Sequence, residues 1–192
     1  MRALNVAAAL SLALVPVTAA VAHEEVFETT MSGPAEAPPN ASPGTGFARV
    51  TFDLDLITMR VEANFSGLLG TTTASHTHGP TAVAFTGTAG VMTTLPSNTG
   101  FPLGVTAGSY DHTYDMTLAS SYNAAFITAS GGTVSLAFTR LLNAHRDNKA
   151  YFNIHTSFAP GGEIRGFFVA VPAPSAAGLI GLLGLAASRR RR

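Results

Sequence analysis

The chain has 192 residues, with 11 basic and 11 acidic side chains, no cysteine and no tryptophan. That length suits one ordinary domain, and 46% apolar with only 11% charged residues excludes an intrinsically disordered chain. The absent cysteines exclude disulfide frameworks, thiolate zinc sites, iron–sulfur clusters and cysteine nucleophiles. A single lysine, Lys149, and no interior arginine cluster exclude a nucleic-acid binder built on a basic patch.

The charges are segregated along the chain. Arg2 and the run Arg189 to Arg192 lie at the ends, whereas every acidic residue lies between His23 and Pro174. The interior is therefore a mildly acidic domain between two processing segments. Residues 1–22 read as a signal peptide: Arg2, an apolar run from Val6 to Val15, the helix breaker Pro16, and Ala20-Val21-Ala22 as the small-residue cleavage site. Signal peptidase is thus an expected partner, and His23 the expected start of the mature chain. An N-terminal histidine can chelate copper through its α-amine and ring, but a brace of that kind needs a second histidine nearby.

Residues 23–171 carry a β pattern. Strands are expected at 26–31, 46–56, 57–65, 82–85, 110–118, 149–156 and 163–171, separated by Gly, Pro, Ser and Asn clusters. Over 57–65 the apolar residues Ile57, Met59, Val61, Ala63 and Phe65 alternate without a slip. Over 46–56 the alternation slips once, near Ala48 and Arg49. The two segments abut, which predicts a hairpin turning around Asp55 to Thr58. One stretch changes period: Val134, Phe138, Leu141, Leu142 and His145 recur at helical spacing. Thr133 is placed to cap that helix, and Asp147-Asn148 to end it. The expected fold is mainly β, an antiparallel Greek-key-like β-sandwich of two sheets with one short helix.

Residues 172–192 are a different kind of sequence. Ala176 to Ala187 is an uncharged, Gly-, Leu- and Ala-rich run that precedes the arginines. At about 1.5 Å per residue it reaches roughly 18 Å, short of a bilayer's ~30 Å core. Such a segment serves as a marginal membrane helix with the arginines on the cytoplasmic side. With Val171-Pro172-Ala173-Pro174 before it, the segment resembles the PEP-CTERM sorting signal, with Ala173 where that family has Glu. The resemblance implies an exosortase-type processing enzyme, transient insertion in the inner membrane, and display at or release from the bacterial cell envelope.

Three motifs carry the candidate chemistry: the Pro- and Gly-dense stretch 32–48, SHTHGPT at 75–81, and KAYFNIHTSFAPGGEIRGFF at 149–168. In this order they resemble the CHRD domain, a module first named in chordin and common in exported bacterial proteins. The likeness spans about Val26 to Val171. It implies an extracytoplasmic β-sandwich and brings no established catalytic activity.

His76 and His78 share one face of an extended segment, about 6.5–7 Å apart at Cα, close enough for both rings to reach one ion. His155 shares a face with Tyr151 and Asn153, and Glu163 with Arg165 on the next strand. The expectation is a cluster of His76, His78 and His155 with Glu163 or Arg165 at its edge. It serves either as a buried hydrogen-bonded network or as a copper or zinc site. His112 and His145 read as surface or helix-packing residues. No serine–histidine–acid triad, phosphate loop or paired catalytic carboxylate is present. Two functional readings follow: a non-enzymatic exported module binding an extracellular ligand, such as a polysaccharide or matrix component, and a histidine-based metal-binding, redox-capable protein.

Overall fold

The structure, a computed structural model, describes residues 23–172. Four long strands form a meander at one end: β1 (Glu24–Ser32), β2 (Thr45–Asp53), β3 (Thr58–Ser66) and β5 (Gly108–Asp115). Alternation decides which residues face inward. Phe27 and Met31, then Ala48, Val50 and Phe52, then Met59, Val61, Ala63 and Phe65, then Tyr110 and Tyr114 line one continuous core. Fully burying a side chain of this size contributes about 1.5–3 kcal/mol. The outer face is polar, and Arg49 pairs with Glu28 while Arg60 pairs with Asp111 at 2.6 Å and Glu62 at 3.0 Å.

The slip in β2 resolves in favour of Ala48. It stays in phase with Val50 and Phe52, while Phe47 faces outward and is half-buried. The hairpin turns over residues 54–57, where Asp53 Oδ1 accepts the N–H groups of Asp55 and Leu56 at 2.9 Å each. Leu56, read from sequence as part of the strand, sits in that turn at 70% exposure.

The second group of strands is β4 (Thr72–His78), β6 (Tyr151–Thr156) and β7 (Ile164–Phe167), with β8 (Val169–Val171) beside β1. The strand order is β4-β6-β7-β1-β2-β3-β5, with β8 paired to β1 off that path. The mainly β, antiparallel class holds, and the layers are the two flanks of one curled sheet. The joint is β1, which pairs β2 along its whole length on one edge and meets β7 and then β8 on the other. Curling brings the flanks over a shared core: Phe101 stacks on Phe65 of β3 at 5.4 Å and reaches Phe152 of β6 at 6.4 Å.

Two short helices follow β5. The helix expected from periodicity is α2 (Val134–Arg146), which Thr133 caps by accepting the Leu136 N–H at 3.3 Å. A six-residue turn of helix, α1 (Ala124–Ala129), precedes it and is capped by Asn123. His145 projects from α2 into the core against Phe27, Phe52 and Phe168, so it is a helix-packing residue. His112 lies half-buried on β5 beside Tyr114.

Several strand expectations need correction. Residues 82–85 form no strand. They lie in the connection from β4 to β5, with Val83 and Phe85 exposed and Phe85 at φ 61°; the Phe85 N–H donates to Asn148 O at 3.0 Å, before β6 begins, and no ladder forms. The strand expected over 110–118 stops at Asp115, whose carboxylate accepts the Thr117 N–H and hydroxyl and turns the chain. The strand expected over 163–171 breaks at Phe168, which turns fully inward and separates β7 from β8. Residues 1–22 and the 176–187 segment lie outside the described residues. Among the described residues no helix is long and apolar enough to cross a membrane.

Candidate metal centre

Strand β4 is an edge strand whose outer side is covered by the connection that follows it. Thr77 O accepts the Met92 N–H at 2.9 Å, Ser75 O accepts the Asn98 N–H at 2.9 Å, and Gly90 O accepts the Gly79 N–H at 3.0 Å. This covering closes an edge that would otherwise be open to pairing. It also buries both faces of β4 from Ser75 to His78.

On its other side β4 pairs with β6, matching Ala74 to His155, His76 to Asn153 and His78 to Tyr151. Parity then puts His76, His78 and His155 on one face of two hydrogen-bonded strands. One ring nitrogen from each of the three lies within 4.8 Å of the other two. The ring centroids are 5.2 Å apart for His76–His155, 5.6 Å for His76–His78 and 5.8 Å for His78–His155.

Each ring is held by a main-chain carbonyl. His76 Nε2 lies 2.8 Å from Pro96 O, His78 Nδ1 lies 3.0 Å from Ala89 O, and His155 Nδ1 lies 2.9 Å from Pro160 O. A carbonyl only accepts, so each of these nitrogens carries the proton, and a neutral imidazole has no second one. The remaining nitrogens, His76 Nδ1, His78 Nε2 and His155 Nε2, are therefore bare lone pairs. All three are buried without a hydrogen-bond partner. Lone pairs cannot bond one another, so the mutual hydrogen-bonded network does not close.

Protonation does not resolve the conflict. Burial holds all three imidazoles below the ordinary histidine value, against the opposing effect of the carbonyl hydrogen bonds, and pushes His78 down to about 4. Three clustered neutral imidazoles, each with one nitrogen fixed by a carbonyl and the other left without a protein partner, fit a borderline divalent ion such as copper or zinc.

The two supporting residues part company. Arg165 stands at the cluster's edge, its guanidinium carbon 4.9 Å from the centroid of Tyr151, whose ring stacks on His78. Glu163 bonds the residues on either side of His155, its N–H donating to Ile154 O at 2.8 Å, but its carboxylate makes no hydrogen bond to the three rings. It stands one residue before β7, after Gly162 at φ 133°, so strand parity does not govern it. Its carboxylate accepts Ser42 Oγ at 2.6 Å, Thr156 Oγ1 at 2.5 Å, and the Leu69 and Gly70 N–H groups at 2.6 and 3.1 Å. Burial works to raise its pKa, and these hydrogen bonds together outweigh burial and lower it. Glu163 is a structural clamp on the 42–44 and 68–70 turns.

A family model for the CHRD domain matches residues 27–168. The chain belongs to the CHRD-domain family. No curated protein and no solved structure matches it significantly. In this CHRD domain the histidines of the 75–81 and 149–168 motifs are the ones that converge, and the third motif contributes indirectly. Glu36, from the Pro-rich stretch, is buried with Asn153 Nδ2 at 3.2 Å from its carboxylate and Arg165 Nε at 3.7 Å. Burial raises Glu36 to about 7, partly offset by Arg165, the Ala37 N–H and Asn153. Sequence reasoning missed Glu36 because a carboxylate among prolines reads as loop surface. It also missed the Ala89, Pro96 and Pro160 carbonyls, which have no side-chain signature. His23 stays exposed, with its ring nitrogen Nδ1 3.5 Å from Asp55.

Proposed function

We propose that this CHRD domain is an exported, non-enzymatic module that binds one copper or zinc ion through His76, His78 and His155. The observation that carries this reading is a cluster of three histidines with ring nitrogens within 4.8 Å of one another, each ring having one buried nitrogen without a partner. Leaving a buried polar atom unsatisfied costs about 1–3 kcal/mol, and a metal ion satisfies all three at once. Two ligands from one strand and one from its neighbour place the site on rigid elements rather than on loops. Bound there, an ion would complete its coordination with a ligand from solution, as three-histidine sites do.

Export rests on the sequence at both ends: the Ala20-Val21-Ala22 site and the apolar, arginine-terminated segment after Pro174. In this reading signal peptidase removes residues 1–22, and an exosortase-type enzyme handles residues 172–192 at the envelope.

The test is metal content. The untagged protein is exposed to Zn(II) or Cu(II), dialysed, and assayed by mass spectrometry for metal per chain. One ion per wild-type chain, lost in His76→Ala and His155→Ala, supports the proposal. Folded wild type that retains no stoichiometric ion overturns it.

A further inference from the structure

His78 is held by more than a carbonyl. Tyr151, its cross-strand partner, stacks on it with ring centroids 4.9 Å apart and planes 6° apart. The same tyrosine grips the carbonyl group that fixes the His78 proton. Its hydroxyl accepts the Ala89 N–H at 3.2 Å and donates to Ala89 O at 3.3 Å, and Ala89 O is the acceptor for His78 Nδ1. Tyr151 thus sets both the plane of the imidazole and the position of its acceptor.

Arg165 sets Tyr151 in turn. Only 4% exposed, it places its guanidinium carbon 4.9 Å from the Tyr151 centroid and 5.5 Å from that of Phe167. Nη1 donates to Gly87 O at 2.9 Å and Nε to Ala35 O at 2.6 Å, so Arg165 ties down the same loop that carries Ala89. A cation–π contact of this kind gains strength when it is desolvated. The buried Glu36 carboxylate, 3.7 Å from Arg165 Nε, balances its charge, so the guanidinium is fixed from one side by Glu36 and the loop carbonyls and presents its face to Tyr151.

The geometry points to Tyr151 as the positioning residue of the metal site, with Arg165 holding it, so that His78 presents Nε2 and not Nδ1 to the ion. This rests on the metal-binding reading above. Without the stack, the ring keeps only its Nδ1 bond to Ala89 O to fix its plane, and the donor set loosens.

The experiment uses the purified full chain as wild type, Tyr151→Leu, Tyr151→Phe and Phe152→Leu. Each is measured for Zn(II) affinity by competition with a chromogenic chelator, for the electron paramagnetic resonance spectrum of its Cu(II) form, and for metal-free unfolding midpoint. Phe152→Leu is the packing control, since Phe152 is fully buried on the opposite face of β6, against Phe101 at 6.4 Å. Outer partners of metal ligands typically contribute about 10–100-fold in affinity. Tyr151→Leu is expected to lose that much and to change the Cu(II) hyperfine pattern. Tyr151→Phe keeps the stack and should lose less, while Phe152→Leu should lower the midpoint and leave affinity and spectrum alone. Wild-type affinity and spectrum in Tyr151→Leu, or an equal change in Phe152→Leu, overturn the positioning role alone. A wild type that binds neither ion overturns the metal reading beneath it.

Discussion

His76 and His155 face each other at 5.2 Å between ring centroids, yet each spends its one N–H on a carbonyl from a different loop, Pro96 O and Pro160 O. Two strands supply the imidazoles and two loops remove their protons from the meeting point. In the reading proposed above, that arrangement receives a cation at the centre.

Metal should therefore stabilise the fold. At a free ion concentration 100 times Kd, linkage adds about 2.7 kcal/mol. For a domain of this size that is on the order of 5–10 °C in the melting midpoint. Differential scanning calorimetry should show this shift with Zn(II) for wild type and none for His76→Ala; equal shifts in both would place the ion elsewhere.

Glu163→Gln should separate structure from site. The carboxylate accepts four hydrogen bonds, two of them from main-chain N–H groups. A glutamine turns an NH2 toward donors, so the loss should be about 2–4 kcal/mol by urea denaturation. Metal stoichiometry should be unchanged in the folded fraction, because Glu163 touches none of the three histidines.

His145 makes the metal-free domain acid-sensitive. Full burial pushes its pKa down to about 4, so between there and its unfolded value of about 6.5 only the unfolded chain takes up the proton. Stability is then present above pH 6.5 and lost as pH falls toward 4, by about 3 kcal/mol from this group. Glu36 acts in the opposite sense, since its raised value of about 7 contributes stability below its unfolded value that is lost as pH rises through 7. His145→Phe puts a ring that takes up no proton among Phe27, Phe52 and Phe168, and, whatever its starting stability, urea midpoints from pH 7 to 4.5 should fall less steeply than in wild type. An unchanged slope would assign the acid sensitivity to other groups.

Cutting the chain after Pro172 should leave a folded, β-rich domain, since the last ladder pair is Val26 with Val171. Far-ultraviolet circular dichroism and the urea midpoint should match those of the longer chain. The exported protein should begin at His23 by N-terminal sequencing, and retained Met1 would contradict the leader reading.

Much of this was legible where periodicity is local. The run Met59, Val61, Ala63 and Phe65 announces β3, and Leu141, Leu142 and His145 announce the buried stripe of α2. Parity also paired His76 with His78. It failed where backbone leaves the ladder: Glu163 precedes its strand, so its carboxylate turns to Ser42, Leu69, Gly70 and Thr156 instead of to the histidine rings. Residues 82–85 look apolar enough for a strand, but strand formation needs a neighbour, and β4 is already covered by Gly90, Met92 and Asn98. The single curled sheet follows from β1 being shared by both flanks, which is a non-local fact.

X-ray absorption spectroscopy of the zinc-loaded protein is the most direct measurement of the central claim. Three imidazole nitrogens at about 2.0–2.1 Å, with their outer-ring scattering, are the expected shell. A bound ion surrounded by oxygen alone, or by fewer than three imidazoles, would contradict the His76–His78–His155 site.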